Sequence, residues 1–168
     1  MEFRKSVKSD IKDIMKIIVQ AQLYLKEQGV DQWQNNYPNE EVIENDIFNK
    51  ISYVLLKDKN IVATAAISFD GEKTYENIYD GNWISDYEYA VVHRIAVDNN
   101  YKRLGLASKI MKNVENTCLD KGIRSIKIDT HEDNLSMQNF LKNNGFKYCG
   151  VIYLEDKSKR IAFEKILD

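Results

Sequence analysis

Segment 89–107 constrains the fold of this chain more than any other stretch. It reads YAVVHRIAVDNNYKRLGLA and begins with an apolar run typical of a buried β-strand that ends at Val97. The residues Asp98, Asn99 and Asn100 predict a polar turn, and a basic stretch with one glycine then leads into a helix. A strand, a turn and a helix in this order place helix-terminal N–H groups beside an open strand end. Such an arrangement can bind a phosphate-bearing ligand.

The composition is that of an ordinary globular protein, and we expect a single domain over residues 1–168. The formal net charge of −2 disfavours a general nucleic-acid binder, because such proteins carry a basic excess. No apolar run approaches about 20 residues, so no membrane association is expected. The N-terminus has no apolar signal core, which indicates a cytoplasmic protein. Cys118 and Cys149 are too few for a zinc set, so we expect no metal and two reduced thiols.

Hydrophobic periodicity predicts the element order β-α-α-β-β-β-α-β-α-β-β, which implies a mixed sheet with helices packed on it. Ser9 or Asp10 is the expected N-cap of the first helix, and Gly29 its stop. Segment 70–88 is long, polar and aromatic, and we interpret it as either a flap or a pair of irregular turns. The strands are predicted at 2–6, 51–56, 61–69, 89–97, 124–129, 148–154 and 160–166. Beyond the first helix, which lies between its N-cap and Gly29, helices are predicted at 40–49, 103–121 and 134–143.

The turn after the 89–97 strand, YKRLGLAS, contains the groups that a diphosphate requires. Gly105 has no Cβ, so a ligand can approach its backbone closely, and the small Ala107 keeps the first helical turn open. Lys102 and Arg103 add positive charge, and the Ser108 hydroxyl can donate to a phosphate oxygen. The spacing is neither GxxxxGK[ST] nor GxGxxG, which disfavours a P-loop and a nicotinamide dinucleotide. A plain helix start with a basic first turn is the alternative.

Two blocks of the sequence resemble the GNAT superfamily of acyl-CoA-dependent N-acetyltransferases. KRLGLA follows the apolar tripeptide IAV and is similar to the family pattern [QR]-x-x-G-x-[GA], with Lys102 in the first position. NLSMQNFLKNNGF is similar to N-x-x-A-x-x-[LF]-Y-x-K-x-G-F, with Met137 at the alanine and Leu141 at the tyrosine position. The resemblance implies an α+β fold with α/β/α layers, in which a mixed, mostly antiparallel, twisted sheet of about seven strands carries about four helices.

The resemblance also implies acetyl-CoA as co-substrate and direct transfer of the acetyl group to a primary amine in a ternary complex. Backbone groups of the Ile95-Ala96-Val97 tripeptide would pair with the pantetheine amides. Asn134 would hydrogen-bond the pantetheine arm, although a helix N-cap role accounts for the same residue. The pyrophosphate would lie on the turn, which consists of Lys102, Arg103, Leu104, Gly105, Leu106, Ala107 and Ser108.

The reaction needs a general base, because only a neutral amine attacks a thioester. An alkylammonium with a pKa of about 10.4 leaves roughly one molecule in 2,500 neutral at pH 7, a penalty near ~5 kcal/mol. His93 is the leading candidate, since it shares an alternation set with Val91, Ile95 and Val97 and an ordinary imidazole pKa is about 6.5. Glu88, at the start of the same strand, is the second candidate. Each residue also has an interpretation without a catalytic role. His93 would then be a packed core residue, and Glu88 a solvated charge at the end of a strand.

The general acid and the acceptor are less defined. Leu141 occupies the position of the family's tyrosine acid, so that role falls to another group, such as Tyr148 or Tyr153, or is lost. A thiol with a pKa of about 8.5 leaves tolerably as a thiolate, so loss of the acid need not abolish transfer.

Carboxylates with aromatic neighbours suit a cationic amine, whether a small molecule or a protein amine. The predicted acceptor-binding residues are Asp31, Trp33, Tyr37 and Trp83.

Two other functions stay open at this stage. One is an acyl-CoA-binding GNAT homologue with a sensing or regulatory role and little catalysis, which the Leu141 departure supports. The other is an interaction protein that does not use CoA. The strands predicted at 148–154 and 160–166 form a C-terminal hairpin. A homodimer through this hairpin is compatible with the sequence, but no feature requires one.

Overall fold

The computed structural model describes all residues, 1–168, and their predicted element order is confirmed. The chain divides into two compact units, the first formed by 1–67 and 93–113 and the second by 68–92 and 114–168. The strands are β1 (Glu2–Lys5), β2 (Ser52–Lys57), β3 (Asn60–Ser68), β4 (Tyr89–Val97), β5 (Ser125–His131), β6 (Lys147–Tyr153) and β7 (Lys159–Ile166). The helices are α1 (Ile11–Glu27), α2 (Glu40–Phe48), α3 (Leu106–Asp120) and α4 (Leu135–Asn143).

The strands form one seven-stranded sheet in the order β1-β2-β3-β4-β5-β7-β6. β4 and β5 run parallel, with registered pairs from Tyr89↔Ser125 to Val91↔Lys127. The pairs β1–β2, β2–β3, β5–β7 and β6–β7 are antiparallel. The predicted fold class, α+β with a mixed and mostly antiparallel sheet and four helices, is confirmed. None of the helices has both the length and the apolar character that a membrane-spanning helix needs.

The first unit has its core between the amphipathic face of α1, α2 and β2. Ile14 and Ile18 are fully buried there against Ile43 and Val54. Asp10 lies at the N-cap of α1 but makes no capping bond with its side chain, so the predicted side-chain cap is wrong. Its carboxylate instead accepts hydrogen bonds from the Arg4 guanidinium and from a backbone N–H upstream of the helix. The charge of arginine is a stronger attraction for a carboxylate than a neutral backbone N–H.

The second unit contains segment 70–88, which is a set of irregular turns fastened to the sheet. Tyr75 is 2% exposed, and its hydroxyl donates to Asp129 at 2.5 Å. The Trp83 indole N–H donates to the carbonyl of Tyr75 at 2.9 Å. Glu164 of β7 is fully buried and accepts hydrogen bonds from the backbone N–H groups of Ile84 and Ser85 and from two serine hydroxyls. Segment 70–88 is therefore part of the packed structure.

Both cysteines are free and buried. Burial raises the pKa of the Cys118 thiol to about 12 and that of Cys149 to about 11. Neither thiol forms an appreciable amount of thiolate at neutral pH, so both behave as small apolar core groups.

Gly150 marks the closest approach between segment 70–88 and β6. A Cβ at this position would lie 2.5 Å from the Tyr79 carbonyl oxygen and 3.0 Å from the Ile78 side chain. The two backbones are joined there by reciprocal hydrogen bonds between Tyr79 and Val151. We therefore expect Gly150→Ala to lower the free energy of unfolding by about 1–3 kcal/mol, measured by urea denaturation. An unchanged transition midpoint would contradict this close packing.

Candidate functional site

β4 does not continue as a regular strand through the candidate site. Arg94 has a φ of 52°, the left-handed region that residues with a Cβ rarely adopt. The predicted alternation of Val91, His93, Ile95 and Val97 is interrupted there, because a left-handed residue resets the direction of the side chains that follow it. Consistent with this, His93, Arg94 and Ile95 are all half-buried in succession. The sequence did not indicate this irregularity.

The Arg94 side chain makes a two-pronged ion pair with Asp46 of α2. Nε and Nη2 each lie 2.7 Å from a separate carboxylate oxygen, and Nη1 donates to the Tyr37 hydroxyl at 3.1 Å. The two side chains are 13% and 8% exposed. Burial alone would lower the Arg94 pKa, but the hydrogen bonds and charge of Asp46 raise it above its ordinary value. The guanidinium is therefore charged and held in one orientation.

The turn after β4 is built from local hydrogen bonds and two left-handed residues. The buried Asp98 carboxylate accepts the N–H of Asn100, which closes the short 3-10 turn Asn99–Tyr101. Arg103 and Gly105 have φ of 64° and 72°, so the helix begins at Leu106 and not at the predicted Arg103. A residue with left-handed backbone cannot belong to a right-handed helix, which is why the basic residues precede α3.

The predicted phosphate-binding groups are exposed on this turn. Lys102, Arg103, Leu104, Gly105 and Ser108 are accessible, Ala107 is half-buried, and Leu106 points into the core. A Cβ added at Gly105 would meet no atom within 4 Å, so the space next to its backbone is open. The first N–H groups of an α-helix have no intrahelical acceptor. Open space, N–H groups without an intrahelical acceptor and two cationic side chains suit a diphosphate group.

Lys102 contacts the protein as well as facing solvent. Its ammonium lies 4.5 Å from the centre of the Tyr24 ring of α1. This cation–π contact keeps the charge near the turn, because the aromatic face restricts a side chain that would otherwise be free to rotate. Lysine at this position therefore supplies a partly fixed positive charge in place of the planar group of arginine or glutamine.

In the second unit, Asn134 is the N-cap of α4, and its side chain accepts the N–H of Met137 at 3.1 Å. The capping interpretation is confirmed, and the pantetheine role stays a prediction. Leu141 is fully buried, so the family's tyrosine position belongs to the core here. Tyr148 and Tyr153 on β6 are 52% and 44% exposed.

For these tyrosines and for Glu88, the structure shows their packing and exposure. Tyr148 packs edge-on against Phe163, and Tyr153 packs edge-on against Tyr79. Glu88 is exposed and directly precedes β4. All three therefore stay predictions for proton transfer.

The predicted acceptor residues of the first unit lie in the loop between α1 and α2. Asp31 is exposed, whereas Trp33 is half-buried and packs on the Ile11 to Val54 core cluster. Tyr37 is 44% exposed and is tied to β4 through its hydroxyl. The packing of Trp33 shows a structural role for that ring, and acceptor binding by these residues stays a prediction.

Trp83, the acceptor residue predicted in the second unit, already contacts a cation of the protein. The Lys127 ammonium lies 4.4 Å from the Trp83 ring centre and 4.0 Å from that of Tyr89. Lys127 is only 4% exposed, and burial lowers its pKa. Sequence reasoning missed this residue, although a lysine between two isoleucines in a strand was the available signal. A cationic acceptor would have to share the Trp83 ring with Lys127.

Comparisons with known proteins bear on the fold and the family. A sequence model of the acetyltransferase (GNAT) family matches residues 21–146. A GNAT-family acetyltransferase from Streptococcus agalactiae 2603 superposes with a TM-score of 0.91 at 32% identity, covering 99% of this chain and 95% of that one. A search of curated proteins finds no match.

More distant structures share the fold alone. A GNAT-family acetyltransferase from Listeria monocytogenes 4b F2365 has a TM-score of 0.76 at 16% identity, covering 99% of this chain and 94% of that one. The ribosomal-protein-S18-alanine N-acetyltransferase from Escherichia coli has a TM-score of 0.66 at 13% identity, with coverages of 99% and 94%. With the family pattern spanning most of the sequence and a close structural match spanning nearly all of it, the chain belongs to the GNAT acetyltransferase family.

Proposed function

We propose that this protein is an acetyl-CoA-dependent N-acetyltransferase that transfers the acetyl group directly to a primary amine in a ternary complex. The observation that carries the proposal is the turn before α3. Its left-handed Arg103 and Gly105 leave open space beside a helix N-terminus, next to two exposed cations. A diphosphate is the ligand chemistry that this combination favours.

Each part of the site has an assigned task in this proposal. Lys102, Arg103 and the N–H groups at the start of α3 hold the diphosphate, and Ser108 donates to it. Backbone groups from Ile95 to Val97 hold the pantetheine arm, as does Asn134. Acetyl-CoA supplies a thioester whose carbonyl is open to attack by a neutral amine. The residues assigned to acceptor binding are Asp31, Trp33 and Tyr37 in the loop of the first unit, and Trp83 in the second unit.

His93 removes the proton from the attacking amine. Without a base, the amine is almost entirely protonated at neutral pH, at a cost near ~5 kcal/mol. Glu88 is the alternative base, acting directly or through water. Tyr148 or Tyr153 protonates the departing sulfur, although a thiol pKa of about 8.5 makes this help modest.

The diphosphate assignment is tested by Gly105→Ala, with Gly122→Ala as the matched control. The two glycines have φ of 72° and 75°, and a Cβ at either would meet no atom within 4 Å. Both variants carry the same strain, roughly 1 kcal/mol. We expect only Gly105→Ala to weaken acetyl-CoA, by about tenfold or more in isothermal titration, because a Cβ there blocks close approach to the backbone. Equal affinities in the two variants would contradict the assignment.

A second candidate function is acyl-CoA sensing with little catalysis, which the buried Leu141 favours. A thiol-release assay with acetyl-CoA and a panel of polyamines, amino sugars, amino acids and peptides separates the two functions. Transfer requires at least one amine to raise thiol release above the hydrolysis background. Binding of acetyl-CoA without any such amine favours sensing, and absence of binding up to millimolar ligand removes both.

A further inference from the structure

Arg94 lies next to the proposed catalytic residue and has a backbone conformation that is energetically unfavourable for arginine. It directly follows His93, the proposed base, and directly precedes Ile95, the first residue proposed to pair with pantetheine. Its φ of 52° is unfavourable for any residue with a Cβ. Such a conformation persists in a strand only when surrounding contacts determine it.

Asp46 supplies those contacts from a fixed helix. The N-cap residue of α2, Asn39, accepts the N–H of Val42 through its side chain, which anchors the start of the helix. Asp46 then presents both carboxylate oxygens to the Arg94 guanidinium at 2.7 Å each. A planar fork on a carboxylate fixes orientation as well as distance, so the side chain of Arg94 can hold its own backbone in place.

The third contact of Arg94 leads to the loop between α1 and α2. Nη1 donates to the Tyr37 hydroxyl at 3.1 Å. The loop is itself tied to α1, because Gln22 donates to the carbonyl of Pro38 and Gln34 donates to the carbonyl of Gln22. One guanidinium therefore links α2, the predicted acceptor loop and the strand that contains His93.

We propose that Arg94 is a positioning residue that, held by Asp46 and Tyr37, fixes the direction of His93 relative to Ile95 and the residues after it, and connects this part of β4 to the acceptor loop. The inference rests on the proposed acetyl transfer. A regular extended residue at 94 would restore the alternation of β4 and so change the direction of His93 relative to Ile95 and the residues after it. A displacement of about 1 Å at a reacting group is enough to lower a rate about 100-fold.

The test compares variants of two similar ion pairs in the same unit. Arg4 also makes a two-pronged pair, through Nη1 and Nη2 to Asp10 at 2.7 and 3.1 Å, and joins β1 to the segment before α1. Arg4→Ala is therefore the matched control for loss of an arginine–aspartate pair. We expect Arg94→Ala to lower kcat/KM with the best amine about 100-fold, mainly through kcat, and Arg4→Ala to leave it unchanged.

Two further variants separate positioning from simple destabilisation. Arg94→Gly should recover about tenfold in kcat over Arg94→Ala, because glycine adopts positive φ without steric cost. Tyr37→Phe should raise KM for the amine about two- to tenfold and leave kcat unchanged, since only the link to the loop is lost. Equal losses in the alanine and glycine variants, or an unaltered kcat in Arg94→Ala, would overturn the proposal.

The imidazole signals of His93 give a readout that does not require acetyl transfer. The chain has two histidines, so His131→Gln assigns the proton resonances. The His93 signals should be displaced in Arg94→Ala and retained in Arg4→Ala. If the His93 signals move in Arg94→Ala but the wild-type protein acetylates no amine, the positioning role of Arg94 is retained and the proposed function is rejected. If the wild-type protein acetylates an amine but the His93 signals do not move in Arg94→Ala, the proposed function is retained and the positioning role of Arg94 is rejected.

Discussion

Replacement of His93 by alanine is expected to lower kcat/KM for amine acetylation by about 10²- to 10⁴-fold, the usual contribution of a general base. The physical reason is the scarcity of neutral amine at pH 7, which a base next to the amine offsets. The measurement is thiol release at saturating acetyl-CoA across pH 5.5–9.5. In the wild type, kcat/KM should fall on the acid side as the imidazole becomes protonated.

The pH profile is the decisive part of this experiment. In His93→Ala the acid limb from the imidazole should disappear, and the rate should rise with pH until the amine itself is neutral. His131→Gln is the matched control, because the Nδ1 of His131 accepts the N–H of Asp133 and its ring has a local structural role. An acid limb that persists in His93→Ala and disappears in Glu88→Gln would transfer the role of base to Glu88.

Replacement of Glu164 by glutamine is expected to lower the free energy of unfolding by about 2–4 kcal/mol. The carboxylate accepts from Ile84 N–H at 2.6 Å, Ser85 N–H at 3.3 Å, and the hydroxyls of Ser85 and Ser125 at 2.6 and 2.8 Å. A glutamine of the same shape directs an NH₂ group at donors, so buried N–H or O–H groups lose their acceptor. Urea denaturation followed by circular dichroism measures the effect.

Glu132→Gln is the matched control for this change. Glu132 pairs with Lys159 at 3.0 Å, but both side chains are more than 40% exposed. Solvent screens such a pair, so the unfolding midpoint should not move. If the two variants unfold at the same urea concentration, Glu164 does not anchor segment 70–88 in the way its hydrogen bonds indicate.

The strands and helices were predictable because each has a strong local signal. α1 has isoleucines at helical spacing, and the structure buries Ile14 and Ile18 completely. The strands predicted at 51–56 and 61–69 correspond to β2 and β3, which are joined by a tight turn in which Asp58 and Lys59 have positive φ values of 50° and 66°. The observed boundaries of an element differ from the predicted ones where the backbone conformation is not evident from the residue types. Arg103, for example, has a left-handed backbone, so α3 begins after it.

In the candidate site, only local backbone features were predictable, and binding of the cofactor by these residues stays a prediction. The turn with Gly105 and the N-cap Asn134 depend on local residue order, and the structure contains both features. The buried contacts of three charged residues were not predicted, namely those of Arg94, Lys127 and Glu164. Their surroundings come from residues far away in the chain, such as Asp46 for Arg94 and Trp83 for Lys127.

The sequence by itself determined the order of strands and helices and the membership of the GNAT family, because periodicity and short motifs are local properties. The tertiary structure alone decided which charged side chains are buried and what they contact. It revealed the left-handed Arg94 with its ion pair to Asp46, and it placed Leu141 in the core. Burial and long-range pairing depend on which distant segments meet, and a linear pattern of residues does not contain that information.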